Sequence, residues 1–418
     1  MKAIIPSRVK LVAGTFLLTI LLYIDRACIS AAREEISSDL GFSLTQFGWI
    51  MAMFTLGYAL FQTPSGILAD RRGPRAVITM IVTAWSVLTA LTGAAWNYVS
   101  MLVIRFLFGA AEAGAFPGLA KVVFNWFPLK ERGIVQGINF SGSRLGAAFA
   151  LPAVAWLLTL VGWKFTFAIF GLVGIVFAIF WYLLFRNKPE ESPSISMEER
   201  EYILSMRQPR QENPGKLNAT TLFGSANVWM VMVQYISSNF TFYFTLSWMF
   251  PYLQQMFALG GVETGLYAMV PLIAGAGGNW FSGFLVDLIY KKGKWTLSRR
   301  IPAIAGFFLA ALGMLMMSQV DSPEISIIFL SIAVFGADMT LSPSWAFCID
   351  IGREHAGTVS GTMNMAGNLG AFVTILAFPY LLEWTGINEP FFYTCAGLSI
   401  LAIFIWTMMD PEKPILTD

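Results

Sequence analysis

Twelve runs of about 20 apolar residues follow one another along this chain, most of them joined by short connections. A helix crossing an ~30 Å hydrocarbon core needs about 20 such residues. Within lipid, every backbone polar group must be satisfied inside the spanning segment or its sheet, and runs this long fit helices. They cover approximately 11–32, 46–68, 76–95, 98–121, 134–160, 165–185, 228–255, 264–286, 301–319, 326–348, 358–382 and 391–409. The chain is 56% hydrophobic and only 12% charged, whereas soluble domains carry roughly 25% charged residues. It therefore lacks the polar residues to coat a water-exposed globule of 418 residues. The expectation is an all-α membrane protein with twelve transmembrane helices and aromatic residues at the lipid interfaces. The first run is long enough to span, and no small-residue cleavage site follows it, so no cleavable signal peptide is expected.

One connection is long. Residues 186–227 hold R-N-K-P-E-E-S-P, M-E-E-R-E-Y and R-Q-P-R-Q-E-N-P-G-K, a polar, charged, proline-rich stretch. It reads as a cytoplasmic linker between an N-terminal six-helix bundle (1–185) and a C-terminal one (228–418). Of the 27 Lys and Arg, 21 fall on the side of the N-terminus and only Arg33 and Lys164 on the other. Basic residues stay on the cytoplasmic side, which places both termini there. Cys28, Cys348 and Cys395 lie in apolar runs without a CxxC or His/Cys cluster, which argues against disulfides and metal. There is no nucleophile–base set and no phosphate loop, so no enzyme and no cofactor are expected. The expected surroundings are a lipid bilayer without nucleic acid, the chain being a monomer.

The chain repeats itself. G-I-L-A-D (66–70) ends the second run, and G-F-L-V-D (283–287) ends the eighth, 217 residues later. G-I-V-Q-G from Gly133, with L-G-A from Leu145, matches G-T-V-S-G from Gly357 with L-G-A from Leu369, ungapped at an offset of 224. The halves are thus parallel repeats, an architecture associated with alternating access around a central site. G-I-L-A-D-R-R-G-P-R (66–75) resembles the loop signature of the major facilitator superfamily. With Y-I-D-R (23–26) and R-F-L-F-G-A-A-E-A-G-A-F-P (105–117), the chain is similar to that family's anion:cation symporter branch. This branch includes bacterial galactonate, glucarate and hexuronate carriers, sialin and the vesicular glutamate carriers. The resemblance implies a bacterial cytoplasmic membrane, an organic anion as cargo and a proton as coupling ion.

Ionisable residues inside the runs are few, and each is costly to place there. The N-terminal half has Asp25, Arg26, Arg105, Glu112, Lys121 and Arg144; the C-terminal half has Asp338, with Asp287 and Asp350 at cytoplasmic helix ends and no Lys or Arg inside a run. Arg26 keeps its charge and presents a fork that matches a carboxylate. Tyr23, three residues away, shares its helix face. Arg26 either grips the anion with Tyr23 or neutralises Asp25 or Glu112. Asp25 itself is an awkward partner, because adjacent helical side chains diverge by about 100°. Asp25 and Glu112 are the candidate proton carriers: burial disfavours a charged carboxyl and a nearby guanidinium favours it, so an anion captured by the arginine would promote protonation. The sole histidine, His355, lies in a predicted loop. Arg105 and Glu112, seven apart, are too distant along the helix to pair directly with each other, on a stripe with Phe108, Gly109 and Phe116. The resemblance makes Glu112 a coupling carboxylate, with Arg105 its partner or Asp25's.

Arg144 and Lys121 read as snorkelling or gate-pairing residues. The resemblance gives Gly66, Asp70, Arg71, Gly73 and Arg75 a gating role at the cytoplasmic side, with Asp287 as the repeat counterpart. Tyr58 matches the family pattern for substrate contact. In the second half Asn239, Tyr243, Asn279, Ser342, Ser344, Trp345, Asn364 and Asn368 offer neutral contacts for a hydroxylated cargo or, equally, helix–helix hydrogen bonds. Asp338 fits either a second titrating site or a structural one. The leading reading is proton-coupled symport of a sugar acid such as an aldonate, aldarate or hexuronate. An organic-anion uniporter or exchanger, organophosphate antiport included, and a membrane nutrient sensor stand as alternatives. A basic residue missing from the second half counts against organophosphate, and a loop too short for a signalling domain against the sensor.

Overall fold

The structure is a computed structural model describing residues 6–193, 195–208, 217–249, 252–253, 256, 261–320 and 322–416. Its helices are α1 (Ser7–Ala31), α2 (Arg33–Leu40), α3 (Leu44–Arg72), α4 (Pro74–Thr92), α5 (Tyr98–Glu112), α6 (Ala115–Trp126), α7 (Arg132–Leu184) and α8 (Met197–Met206). There follow α9 (Ala219–Gly224), α10 (Ala226–Ser247), α11 (Gly261–Lys291), α12 (Trp295–Met317), α13 (Pro323–Met339), α14 (Leu341–Gly352), α15 (Ala356–Thr385) and α16 (Glu389–Met408). Among the described residues the twelve apolar runs are realised mainly as helix. Gly162, at φ 72°, separates the fifth run from the sixth within α7. The fourth run breaks between α5 and α6, just after Glu112, and the tenth between α13 and α14, just after Asp338. The end of the seventh run and residues 209–216 of the linker, with Arg210 and Lys216, fall largely outside the described residues. Large apolar side chains such as Phe165 (69% exposed) and Leu184 (77%) face outward, where a bilayer rather than water suits them.

Packing groups the chain into two compact units. Unit 1 comprises Met1–Leu129, Leu145–Pro214 and Gly352–Met365; unit 2 comprises Lys130–Arg144, Gly215–Ile351 and Ala366–Asp418. The first turns of α7 therefore pack within unit 2 and those of α15 within unit 1. Unit 1 has an apolar core around Ile29, Phe47, Ile50, Met101 and Phe167. That of unit 2 is aromatic, with Phe244 against Phe378, Phe391 and Phe392.

Carboxylates tie helix starts into both units. The first N–H groups of a helix have no partner inside it and carry the positive end of its dipole. Asp70 accepts from the N–H groups of Gly357 (3.0 Å) and Thr358 (2.7 Å) and from the Thr358 hydroxyl (2.6 Å). In unit 2 Asp287 accepts from the N–H groups of Gly133 and Ile134, each at 2.9 Å. The echoes in the sequence thus meet crosswise: the aspartate ending G-I-L-A-D holds the helix opening G-T-V-S-G, and the aspartate ending G-F-L-V-D holds the one opening G-I-V-Q-G. Backbones touch at both places, since a Cβ on Gly66 would overlap Gly357 and one on Gly283 would overlap Gly133. A third carboxylate comes from the linker. Glu199, on α8, accepts from the N–H groups of Ser7 (2.8 Å) and Arg8 (2.9 Å) at the start of α1. The stretch expected to be a polar connection therefore contains an ordered helix, capped by Ser196 and bearing Glu198 and Glu199 in its first turn.

Asp70→Asn keeps the volume but replaces one acceptor oxygen with a donor facing donors. An unpaired buried polar group costs about 1–3 kcal/mol, so the purified variant should melt several degrees below the wild type, as should Asp287→Asn. Unchanged melting temperatures in detergent would show that these contacts do not stabilise the fold.

Candidate functional site

In unit 1, α3 and α5 approach until their backbones touch: a Cβ on Gly57 would overlap the Phe106 carbonyl, and one on Gly109 the Phe54 carbonyl. That closeness sets Phe54 and Tyr58 of α3 beside Arg105, Phe108 and Glu112 of α5. Helix α1 supplies Tyr23, Asp25 and Arg26. The Arg26 guanidinium lies 4.9 Å from the Tyr23 ring centre, 5.1 Å from Phe54 and 4.4 Å from Tyr58. Such ring faces hold a desolvated cation by about 2 kcal/mol. Arg26 Nε donates to Glu112 Oε1 at 2.6 Å; the arginine side chain is 16% exposed and the glutamate 0%. The arginine is thus the more accessible member of the pair.

Asp25 is 1% exposed, and neither oxygen of its carboxylate has a hydrogen-bond partner among the described residues. Its polar neighbours are Glu112, Arg105 and the Trp85 indole. Arg105 is buried against the rings of Phe54 (5.1 Å) and Phe108 (4.5 Å). It makes no ion pair among the described residues, so the partnership with Glu112 expected of it passes to Arg26, while it remains a neighbour of Asp25. The reason is reach: Arg26 comes in from α1 level with Glu112, whereas Arg105 lies two turns away along α5. The arrangement sets a buried carboxylate paired to a partly exposed arginine beside a second buried carboxylate without a hydrogen-bond partner among the described residues, with Arg105 a further buried cation.

The other expected residues divide by unit. Lys121 lies 3.6 Å from Asp70 and 3.5 Å from the Glu354 carboxylate, and also donates to the Glu354 carbonyl. Gly73 joins α3 to α4, and Arg75 donates to the Tyr182 carbonyl at 2.9 Å over the Tyr182 ring. Arg71 is exposed. Asn364 donates to Gln62 at 2.9 Å. In the loop region Lys164 lies 2.8 Å from Asp39 and holds that carboxyl below its ordinary range; both are well exposed, and such pairs add little stability.

In unit 2 Ser342 donates to the Gly133 carbonyl (2.6 Å), Ser344 to the Thr340 carbonyl (2.6 Å) and Trp345 to the Tyr235 hydroxyl (3.0 Å). All three are at most 1% exposed, and these hydrogen bonds fasten helices to one another. Asn279 is likewise fully buried and donates to Gly275 of its own helix. Asn239 bonds the Tyr235 carbonyl, and the Tyr243 hydroxyl donates to Asn368 at 3.0 Å. Arg144 is not at a lipid boundary. It is 5% exposed and forks onto Asp338 through Nε (2.7 Å) and Nη2 (2.5 Å). The second half also has a buried basic residue that the apolar run 301–319 left out. Helix α12 begins six residues earlier, and Arg299 shares Asp350 with Arg132 at 2.8 and 2.7 Å.

A sequence model of the Major Facilitator Superfamily matches residues 15–375. The chain belongs to the Major Facilitator Superfamily. The probable sulfoacetate transporter SauU of Cupriavidus necator is 30% identical over 423 residues, covering 99% of this chain and 97% of that protein. The probable galactarate/D-glucarate transporter GudP of Bacillus subtilis is 30% identical over 420 residues, with 96% and 91% covered. Among solved structures, the proton:xylose symporter XylE bound to 6-bromo-6-deoxy-D-glucose matches with TM-score 0.77 at 14% identity, over 96% of this chain and 95% of that one. At that identity the likeness speaks for the fold alone. As a Major Facilitator Superfamily member, the protein is a multi-pass, all-α membrane transporter and not an enzyme.

Within this superfamily fold, several residues around the charges were not singled out from the sequence. Phe54 carried a readable signal, being four residues before Tyr58 and so on the same face of α3. Trp85, beside Asp25, and Phe242, whose ring centre lies 3.8 Å from the Arg144 guanidinium, carried none, because each reaches its charge from another helix.

Proposed function

We propose that this protein carries a small organic anion across a bacterial cytoplasmic membrane together with protons, with both of its own termini inside. The observation behind this reading is the Arg26–Glu112 pair beside the unpaired Asp25. An incoming acid group competes with Glu112 for the Arg26 fork. A buried carboxylate that loses its cation is costly, so the displaced Glu112 takes up a proton, held jointly with Asp25. Anion and proton then load together and leave together. Tyr23 and Tyr58 offer hydroxyls beside the same guanidinium. The relatives named as sulfoacetate, galactarate/D-glucarate, L-galactonate and hexuronate transporters support a compact acid as cargo, and we favour a sugar acid.

The test is uptake into proteoliposomes of D-galactonate, D-glucarate, D-glucuronate and sulfoacetate with the outside acidic. At least one should accumulate, and a protonophore should collapse the gradient. Uptake of a probe at the same level with and without the pH difference would sink proton coupling, and uptake of none would sink the substrate class.

A further inference from the structure

Arg144 and Asp338 repeat, in unit 2, the construction of the Arg26–Glu112 pair. Glu112 is the last residue of α5 at the break of the fourth run, and Asp338 stands next to last in α13 at the break of the tenth. These runs are repeat equivalents, six spans apart. Each carboxylate is buried and bound by an arginine from another helix, and each arginine lies on an aromatic face. For Arg144 that face is Phe242, 3.8 Å from the guanidinium.

Among the described residues Asp338 forms an ion pair with Arg144, and its surroundings come from several helices. Helix α11 offers Gly275, where an added Cβ would overlap the carboxylate. Helix α10 offers Phe242 and Ser238, which bonds Thr340 and the Ala337 carbonyl. Helix α12 offers Gly306, against Gly336. Polar groups lie on the same elements as the pair. Asn139 and Ser143, on the segment carrying Arg144, are 0% exposed with side-chain polar atoms that have no hydrogen-bond partner among the described residues. So is the Asn279 carbonyl oxygen, one turn from Gly275. Purely structural burial of an ion pair favours apolar packing or complete hydrogen bonding around it. Buried amides and hydroxyls with unused capacity suit a pair whose charges separate.

We propose that Arg144–Asp338 is a second proton site: in the loaded protein Asp338 holds a proton, so that a cargo with two negative charges leaves the loaded protein with the same total charge as the empty one. The cargo class is then a dianion, a dicarboxylate or a sulfonated carboxylate, carried with two protons. This rests on the exchange chemistry proposed for Arg26 and Glu112.

Proton uptake on binding decides it. Titration calorimetry of the purified full chain with D-glucarate and with sulfoacetate, in buffers of different ionisation enthalpy, should give two protons per bound dianion for wild type. The doubly neutral variant Arg144→Gln/Asp338→Asn should give one. In proteoliposomes with the membrane potential clamped, a one-unit pH difference contributes about tenfold of accumulation per proton. The double variant should therefore accumulate the dianion about tenfold less. Wild type that binds with uptake of one proton overturns the proposal even if the variant fails to fold. So does a folded double variant with the wild-type proton count, which marks a fixed structural pair. Glu112→Gln measured alongside separates the readings: an unchanged proton count there overturns the role of unit 1, and failure of wild type to bind either dianion while D-galactonate or D-glucuronate still accumulates overturns the second proton site alone.

Discussion

Arg26→Ala should remove measurable anion binding. Two charge-assisted hydrogen bonds, each contributing about 1.5–3 kcal/mol, correspond to a loss on the order of 10²–10⁴-fold in affinity. The fold should survive, because Glu112 can take a proton when its cation is gone and the three rings around position 26 belong to other residues or other turns. Arg26→Lys sharpens the test. Lysine keeps the charge but presents a compact ammonium instead of a planar fork, so binding should fall well below wild type without vanishing. Calorimetry or a ligand-induced melting shift reads both variants. Wild-type affinity in Arg26→Ala would show that the acid group is recognised elsewhere.

Glu112→Gln should separate binding from coupling. The amide keeps the shape of the side chain and can still accept from Arg26, but it cannot exchange a proton. Counterflow, which needs only binding and the conformational cycle, should persist. Accumulation driven by one pH unit should fall about tenfold, and combined with Asp338→Asn it should approach no accumulation at all. A Glu112→Gln protein that accumulates its cargo as wild type does would remove this glutamate from the coupling machinery.

Much of this was legible from residues alone, for identifiable reasons. A spanning helix must be continuously apolar, so the twelve runs stand out by composition, and a charge inside one is conspicuous; that is how Asp25, Arg26, Arg105, Glu112 and Arg144 were found. Pairing was less legible. Along one helix the 3.6-residue turn decides which side chains meet, and it separated Arg105 from Glu112 correctly. Between helices nothing in the chain order says which charge lies opposite which, so Arg26–Glu112 stood as one option among several and Arg144–Asp338 emerged only in three dimensions. The run boundary at 301 hid Arg299 for a related reason. A hydropathy window stops at the first charges, whereas a helix continues through Arg299, whose charge is matched by Asp350.

The carboxylates that hold helix starts carry one more implication. Asp70, Asp287 and Glu199 all grip main-chain N–H groups, and every residue except proline supplies one. Tolerance to change is therefore lopsided. The gripped turns can vary in side chain wherever size permits, while a single substitution at the gripping acid removes several bonds together. Searches for compensating mutations should accordingly find them at new acids near the original one, and seldom on the helices being held.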